Sequence, residues 1–427
     1  MGTLVAKAPV REGQVETTGL PTRRDAVRQA GWMLSGGVVQ SGVAFGANLI
    51  LVRHISPEGF GRFALLMASV SLVLAVLSLR TGLLVIREGA RGAGAIAPER
   101  RDLFVNALYQ ETIFCGLLAL GWTLVAGQLD LAAGVLLAAL LLAHLLSNLK
   151  AFHERQMAYR SLSVLESGSQ LAGHGVAVAL ALLGAGAAAL YARELALALV
   201  GLIGLASLRA LPTVRWRWLR PRDWAGLAHE AKDVWLDGAL EGGFARVLVL
   251  AAGAIGGPAG AGLFFQAHRL ATVPHQLLAP LAGRLAYNWF SRAETEAARR
   301  TGRRRLMLTL AGPLLAAGVA TWFLADSLVP WLLGERWADA APLLATMVGC
   351  IVGTSLFATA KMYVLATRRA RILVIARVAQ FLGLGLGLGL VLLAPGLGVR
   401  AVGIGLSLAF AFGLVTALAG LRAAERD

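Results

Sequence analysis

The sequence predicts an all-α integral membrane protein of twelve transmembrane helices, in two six-helix bundles related by a parallel pseudo-two-fold. Three observations carry this. Of 427 residues, 57% are hydrophobic and 15% charged, with mean hydropathy +0.68; soluble domains carry nearer a quarter charged residues. Apolar runs of spanning length recur twelve times, and the two halves of the chain repeat one another.

The runs lie at about Gly31–Leu51, Phe63–Ile86, Phe104–Val125, Leu131–Leu149, Leu162–Leu183, Ala187–Leu208, Val234–Ile255, Ala259–Leu285, Leu306–Leu324, Leu343–Ala360, Ile372–Leu393 and Ala401–Leu421. A helix needs about 20 residues to cross a bilayer. Length and Leu/Ala/Gly richness select helix over strand, and without water each run must bond its own backbone.

Charge placement orients the runs. With both termini and every second loop on one side, only Arg53, Arg62, Arg336 and Arg400 fall opposite. Arg80, Arg193, Arg246, Arg269 and Arg377 lie within spans, and all other Lys and Arg fall on the first side. That asymmetry marks the cytoplasmic face and predicts both termini cytoplasmic. The expected organisation is a tail at 1–30, a bundle at 31–208, a linker at 209–233, a bundle at 234–421 and a tail at 422–427. The first 30 residues are polar, with no apolar core like that of a signal peptide.

The loops are short. The longest outer connection, Ala325 to Pro342, places Trp331 and Trp337 at expected interfacial positions. The inner cluster Arg303, Arg304 and Arg305 reads as a topology determinant or a contact for anionic head groups. The net charge of +16 is dispersed between apolar runs, which is not a nucleic-acid footprint. Cys115 and Cys350 lie in apolar runs, so no disulfide framework is indicated.

The repeat is readable in two places. FGANLILVRHISPEGFGRFALL from Phe45 resembles FARVLVLAAGAIGGPAGAGLFFQA from Phe244, and LLGAGAAALYARELALALVGL from Leu182 resembles LLAPGLGVRAVGIGLSLAFAFGL from Leu392. The separations, about 200 and 210 residues, agree. An even number of helices per half makes the repeats parallel, as in many secondary transporters.

No phosphate-binding G-x-x-x-x-G-K-[ST], H-E-x-x-H or G-x-S-x-G motif is present, and His and Cys spacing offers no metal site. The expectation is a protein that is not an enzyme and needs no cofactor. Intramembrane charge is what remains, and an Arg or Asp at a helix centre costs about 2.5–3.5 kcal/mol on insertion scales. Gln266, Arg269, Thr272 and Gln276 share one stripe of the eighth helix, so they face a cavity or a seam between helices. Arg80 is placed in the inner half of the second helix, Arg246 near the middle of the seventh and Arg269 in the outer half of the eighth.

Three arginines on these helices suggest one cationic central cavity, suited to phosphate because guanidinium binds two oxygens at once. Structural pairing of these arginines is the alternative. Lys361, at the inner mouth of the tenth helix, is a candidate to recruit substrate, and Glu166, Asp237 and Glu241 are candidates for a coupling cation. Arg193, Glu194 and Arg377 are expected to snorkel, and Glu111 and His144 to form local polar seams. Gly42 and Gly46 read as a close-approach GxxxG, and Pro274 and Pro280 as interruptions of the eighth helix.

LVRHISPEGFGRFALL resembles the first outer turn of the polysaccharide (O-antigen-type) flippases of the multidrug/oligosaccharidyl-lipid/polysaccharide (MOP) exporter superfamily. GLFFQAHRLATVPHQLLAPLAGRLAYNWFSR resembles their eighth helix and Ser-Arg exit, and LLGERWADAAPLLATM their Leu-Gly-x-x-Trp segment before the tenth. The likeness runs from about Gly31 to Leu421.

It implies a V-shaped fold like that of multidrug and toxin extrusion (MATE) transporters, with the first, second, seventh and eighth helices lining a central cavity. It also implies a bacterial inner-membrane flippase carrying a lipid-linked oligosaccharide, usually on undecaprenyl diphosphate, to the outer leaflet for surface polysaccharides such as lipopolysaccharide O-antigen or exopolysaccharide. Expected partners are that lipid, membrane lipids and other polysaccharide-assembly membrane proteins. Arg269 matches the family's eighth-helix Arg. Ala245 stands where an Asp often precedes the seventh-helix Arg, and Asn288 where a Pro precedes the Ser-Arg exit. A lipid II flippase and a cation-coupled multidrug exporter are the alternatives.

Overall fold

The computed structural model describes residues 40–89, 96–127, 129–155, 159–208, 211–212, 215–280, 283, 286–293, 295–367 and 369–424, and among them every regular element is helical. The predicted tail 1–30, the start of the first span and residues 425–427 lie outside them. In order the helices are α1 (40–54), α2 (Pro57–Leu77), α3 (Thr81–Gly89), α4 (Pro98–Val125), α5 (Leu131–Glu154), α6 (Tyr159–Leu182) and α7 (Ala188–Ser207). There follow α8 (Pro221–Pro280), α9 (Ala286–Arg292), α10 (Glu296–Leu333), a 3-10 turn (Glu335–Ala340), α11 (Ala341–Thr346), α12 (Val348–Ala366), α13 (Ala370–Leu393) and α14 (Arg400–Ala424).

Nine helices among the described residues are long and apolar enough to cross a membrane. The twelve predicted runs differ from these nine at identifiable places. The first run lies partly outside the described residues. The seventh and eighth fall in one continuous 44-residue stretch, Trp235–Leu278, whose helix breaks at Gly257 with φ 63°. A left-handed φ suits glycine, which has no Cβ to clash. The fifth run, α6, is diluted by Glu166, Ser167, Ser169, Gln170 and His174.

Contacts among α2 to α14 form two sets, α2 to α7 and α8 to α14, which meet along α2 and α8 with a lesser contact from α3, and α1 adds hydrogen bonds to α8. The meeting is symmetric at the outer turn. A Cβ on Gly61 of α2 would overlap the Pro258 carbonyl of α8, and a Cβ on Gly262 of α8 would overlap the Pro57 carbonyl of α2. The pairs Pro57/Pro258 and Gly61/Gly262 are corresponding positions of the sequence repeat, so the two backbones cross where only hydrogen fits. Gly42 and Gly46, by contrast, face open space among the described residues. Their expected close approach is corrected.

Trp337, expected at an interface, is fully buried. Its indole N–H donates to the Val52 carbonyl at 2.8 Å, and its ring meets Phe60 edge-on at 5.5 Å. Val52 is in the last turn of α1, whose carbonyls lack helical partners, so the indole caps α1 across the molecule. Trp337→Phe is expected to lower stability by about 1 kcal/mol, read as a lower unfolding midpoint in detergent. Trp331 is exposed, as expected.

The second predicted span is broken. α2 ends at Leu77 and α3 starts at Thr81, with Arg80 between them at φ 57°. Arg80 is therefore not on the inner half of a continuous helix. Left-handed geometry costs an L-residue about 1–2 kcal/mol, and side chains from two other helices offset it. Glu111 Oε2 of α4 accepts the Leu79 N–H at 3.1 Å and the Thr81 hydroxyl at 3.4 Å. Asn148 Oδ1 of α5 accepts the Gly82 N–H at 2.8 Å, and His144 bonds Glu111 Oε1 at 3.0 Å.

The predicted linker 209–233 is helical from Pro221, where proline suits a first helical turn. Leu219, Leu227 and Ala231 pack with Leu84, Val85, Phe104 and Ala151 of α3, α4 and α5, and Arg100 pairs with Glu230. The start of α8 is thus docked on the preceding helices. α8, described as far as Pro280, runs through Pro274, so that proline does not interrupt it.

Candidate functional site

The arginines of α2–α3 and the first half of α8 meet in one cavity. It measures about 630 Å³ and lies between the inner half of α2, α3, the inner half of α5 and residues 238–246 of α8. Here "inner" denotes the side the charge pattern predicts to be cytoplasmic. Arg80 and Arg246 line it with Ser71, Ser78, Ser147 and Asn148. Arg80 Nη2 donates to the Gly238 carbonyl at 2.8 Å, and Arg246 Nη1 to the Gly242 carbonyl one turn before it at 3.2 Å. Among the described residues neither guanidinium has a carboxylate within ion-pair distance, and Arg80 Nε is buried without a partner. Glu154 and Glu241 also line this cavity, but neither reaches either guanidinium, so Arg80 and Arg246 face it with hydrogen-bonding capacity left for an anion.

Arg269 is elsewhere, so the single cationic cavity expected from the sequence is corrected to two. Arg269 lines a second cavity of about 440 Å³ between α1, α6 and the second half of α8, with Gln40, Ser41, Gln170, Thr272 and Gln276. Its Nη1 donates to Asn48 Oδ1 at 2.8 Å and its Nη2 to the Ala44 carbonyl at 2.9 Å. Gln266 is corrected too. It is fully buried and accepts from Asn48 Nδ2 at 3.1 Å, so it is a seam between α1 and α8, not a cavity wall. Gln276 does line the cavity and donates to Thr272 at 3.4 Å.

The remaining candidates are paired. Lys361 Nζ lies 2.8 Å from Glu241 Oε2 and 3.5 Å from Asp237 Oδ2. Arg377 reaches Glu241 Oε1 at 2.5 Å and Asp237 Oδ1 at 3.8 Å, and stacks over the Phe357 ring at 4.9 Å. Lys361 is therefore not a free recruiting cation, and Asp237 and Glu241 are neutralised, two carboxylates against two cations. A cation reaches them only in a conformation where Lys361 and Arg377 have moved away. Glu166 is likewise held by Lys150 Nζ at 2.6 Å.

Arg377, expected to snorkel, is buried in α13. Arg193 is buried, 2.5 Å from the half-buried Glu194, and lies over the Phe63 ring at 5.7 Å. Sequence reasoning missed Asn48 and Asn148. Their signal was available, since a lone Asn in an apolar span is a helix-to-helix hydrogen-bonding group.

Two sets of long apolar helices thus flank a polar cavity lined by two arginines. The fold matches MOP-superfamily structures. An inward-facing multidrug resistance MATE-family transporter is similar at TM-score 0.64 and 17% identity, over 91% of this chain and 98% of that one. The lipid II flippase MurJ, in an inward closed conformation, is similar at TM-score 0.69 and 10% identity, over 93% and 87%. A MOP transporter from Pyrococcus furiosus, described as having a binding pocket of reversed polarity, is similar at TM-score 0.60 and 16% identity, over 93% and 96%. No curated protein matches. Residues 50–342 match the profile of a family described as polysaccharide biosynthesis protein, and the chain belongs to that family.

Proposed function

We propose that the chain flips a lipid-linked oligosaccharide from the cytoplasmic to the outer leaflet of a bacterial inner membrane by alternating access, without hydrolysing ATP. The observation that carries this is the pair Arg80 and Arg246, two guanidinium groups in one cavity with no carboxylate partner among the described residues. A diphosphate offers them oxygens two at a time. In this reading the bundles 31–208 and 234–421 rock about the linker 209–233, twelve helices cross the membrane and both termini are cytoplasmic. Arg269, with Gln276 beside it, forms a second station deeper in the membrane. The match to a polysaccharide biosynthesis family supports a glycan cargo. A lipid II flippase would use the same head-group chemistry.

The test is transport of a fluorescent undecaprenyl-diphosphate-linked oligosaccharide in proteoliposomes at matched protein levels. Arg80→Ala and Arg246→Ala are each expected to reduce transport about 10- to 100-fold, the worth of a lost charge-assisted contact. Wild-type activity retained in both variants would reject the arginine site and keep the flippase. Transport of lipid II alone would select that alternative. Wild type inert on lipid-linked glycans but exporting a cationic dye would replace the flippase by a multidrug exporter.

A further inference from the structure

Residues 215–219, Arg-Trp-Arg-Trp-Leu, form an extended strip pinned by two buried amides of α4. Asn106 Nδ2 donates to the Arg215 carbonyl at 3.0 Å, and the Arg217 N–H donates back to Asn106 Oδ1 at 3.0 Å. One turn on, Gln110 Nε2 donates to the Arg217 carbonyl at 2.7 Å, and the Leu219 N–H donates to Gln110 Oε1 at 3.1 Å. Four helical residues rise about 6 Å and two extended residues about 6.6 Å, so side chains at i and i+4 can pair with a strand at every second residue. Asn106 and Gln110 are buried with this bonding complete. The strip is a built surface.

Successive side chains of an extended segment point to opposite sides. Trp216 and Trp218 therefore share a side, with rings edge-to-face at 5.5 Å, and are 50% and 62% exposed. Trp216 meets Tyr109 at 6.3 Å, and Trp224, at the start of α8, meets Phe114 at 6.3 Å. Phe114 belongs with Leu117 and Leu118 to the exposed apolar face of α4, which in a spanning helix faces lipid. Arg215 and Arg217 alternate with the tryptophans and so lie on the other side of the strip, Arg220 and Arg222 follow it, and all four are exposed. Asp223 offers one carboxylate near them, 3.6 Å from Arg217 and accepting the Arg220 N–H at 3.1 Å.

We propose that this strip docks anionic phospholipid head groups of the leaflet it faces. Exposed Trp alternating with exposed Arg along a strip continuous with a lipid-facing helix is the chemistry of the head-group layer: indole sits at its level and guanidinium binds its phosphates. The inference rests on the membrane placement of α4 and stands or falls separately from the cargo.

The experiment uses the full chain in liposomes, with a quencher attached to the head group of either phosphatidylglycerol or phosphatidylcholine. Subtracting the signal of the Trp216→Phe/Trp218→Phe variant isolates the strip's fluorescence. Quenching is expected at a lipid fraction roughly tenfold lower for phosphatidylglycerol, and Arg215→Gln/Arg217→Gln should abolish most of that preference. Equal quenching by both lipids, or a preference that survives the arginine changes, would overturn the proposal. Quenching by neither lipid would overturn it in favour of a protein partner on this surface.

Discussion

Arg377→Ala is expected to lower the unfolding free energy by about 3 kcal/mol, read as a lower thermal midpoint in detergent or nanodiscs. The side chain is only 6% exposed, and its three nitrogens reach three partners: Glu241 at 2.5 Å, Gln380 at 3.0 Å and Asp237 at 3.8 Å. Alanine leaves two carboxylates facing one ammonium, in a region where water screens little. The loss stays at the low end for a broken buried pair because Glu241 is half exposed to the cavity and keeps Lys361 at 2.8 Å. If charge imbalance causes the loss, Arg377→Met combined with Glu241→Gln should be milder than Arg377→Met alone, since one cation then faces one carboxylate. An unchanged midpoint in the single variant, or a double variant as unstable as the sum of the singles, would refute the network as a stabilising unit. Transport measured in Glu241→Gln then asks a separate question, whether the carboxylate also takes part in coupling.

The same residue shows where the sequence was legible and where it was not. Arg377 reads as a span-end residue because Arg369 and Arg371 lie just before it. In the structure it sits two turns into α13, facing Glu241, 136 residues away on α8, and Asp237 one turn before that. Hydropathy measures one helix against lipid and does not contain those partners. The break after Leu77 is hidden for the same reason. Residues 74–86 are one apolar run interrupted only by Ser78, Arg80 and Thr81, and the groups that hold the break open, Glu111 and Asn148, come from α4 and α5. Polar composition also made residues 215–233 read as linker, although Asn106 and Gln110 pin the first part and apolar contacts dock the second. The helical class, the repeat and the arginines of the cavity were legible because each is a property of one segment or of two segments compared.

Gly61→Val and Gly262→Val are expected to have nearly equal and severe effects, each at least about 3 kcal/mol, with little or no folded protein at physiological temperature. At both positions a Cβ would fall on a carbonyl of the opposing helix, Pro258 for Gly61 and Pro57 for Gly262. A backbone carbonyl has no rotamer by which to move aside, so α2 and α8 must part at the outer turn. Separation there also pulls Trp337 away from Val52, the contact that caps α1. Gly243→Ala is the control, because its Cβ would meet Leu72 at an ordinary 3.8 Å and should cost less than 1 kcal/mol. Equality of the two valine variants is the sharper part of the expectation, since it follows from the two-fold relation and not from either site alone. A tolerated Gly61→Val beside a lethal Gly262→Val would mean that the crossing is not symmetric in the working protein. If both variants instead fold as stably as the unmodified chain, α2 and the middle of α8 are not held together as they are here.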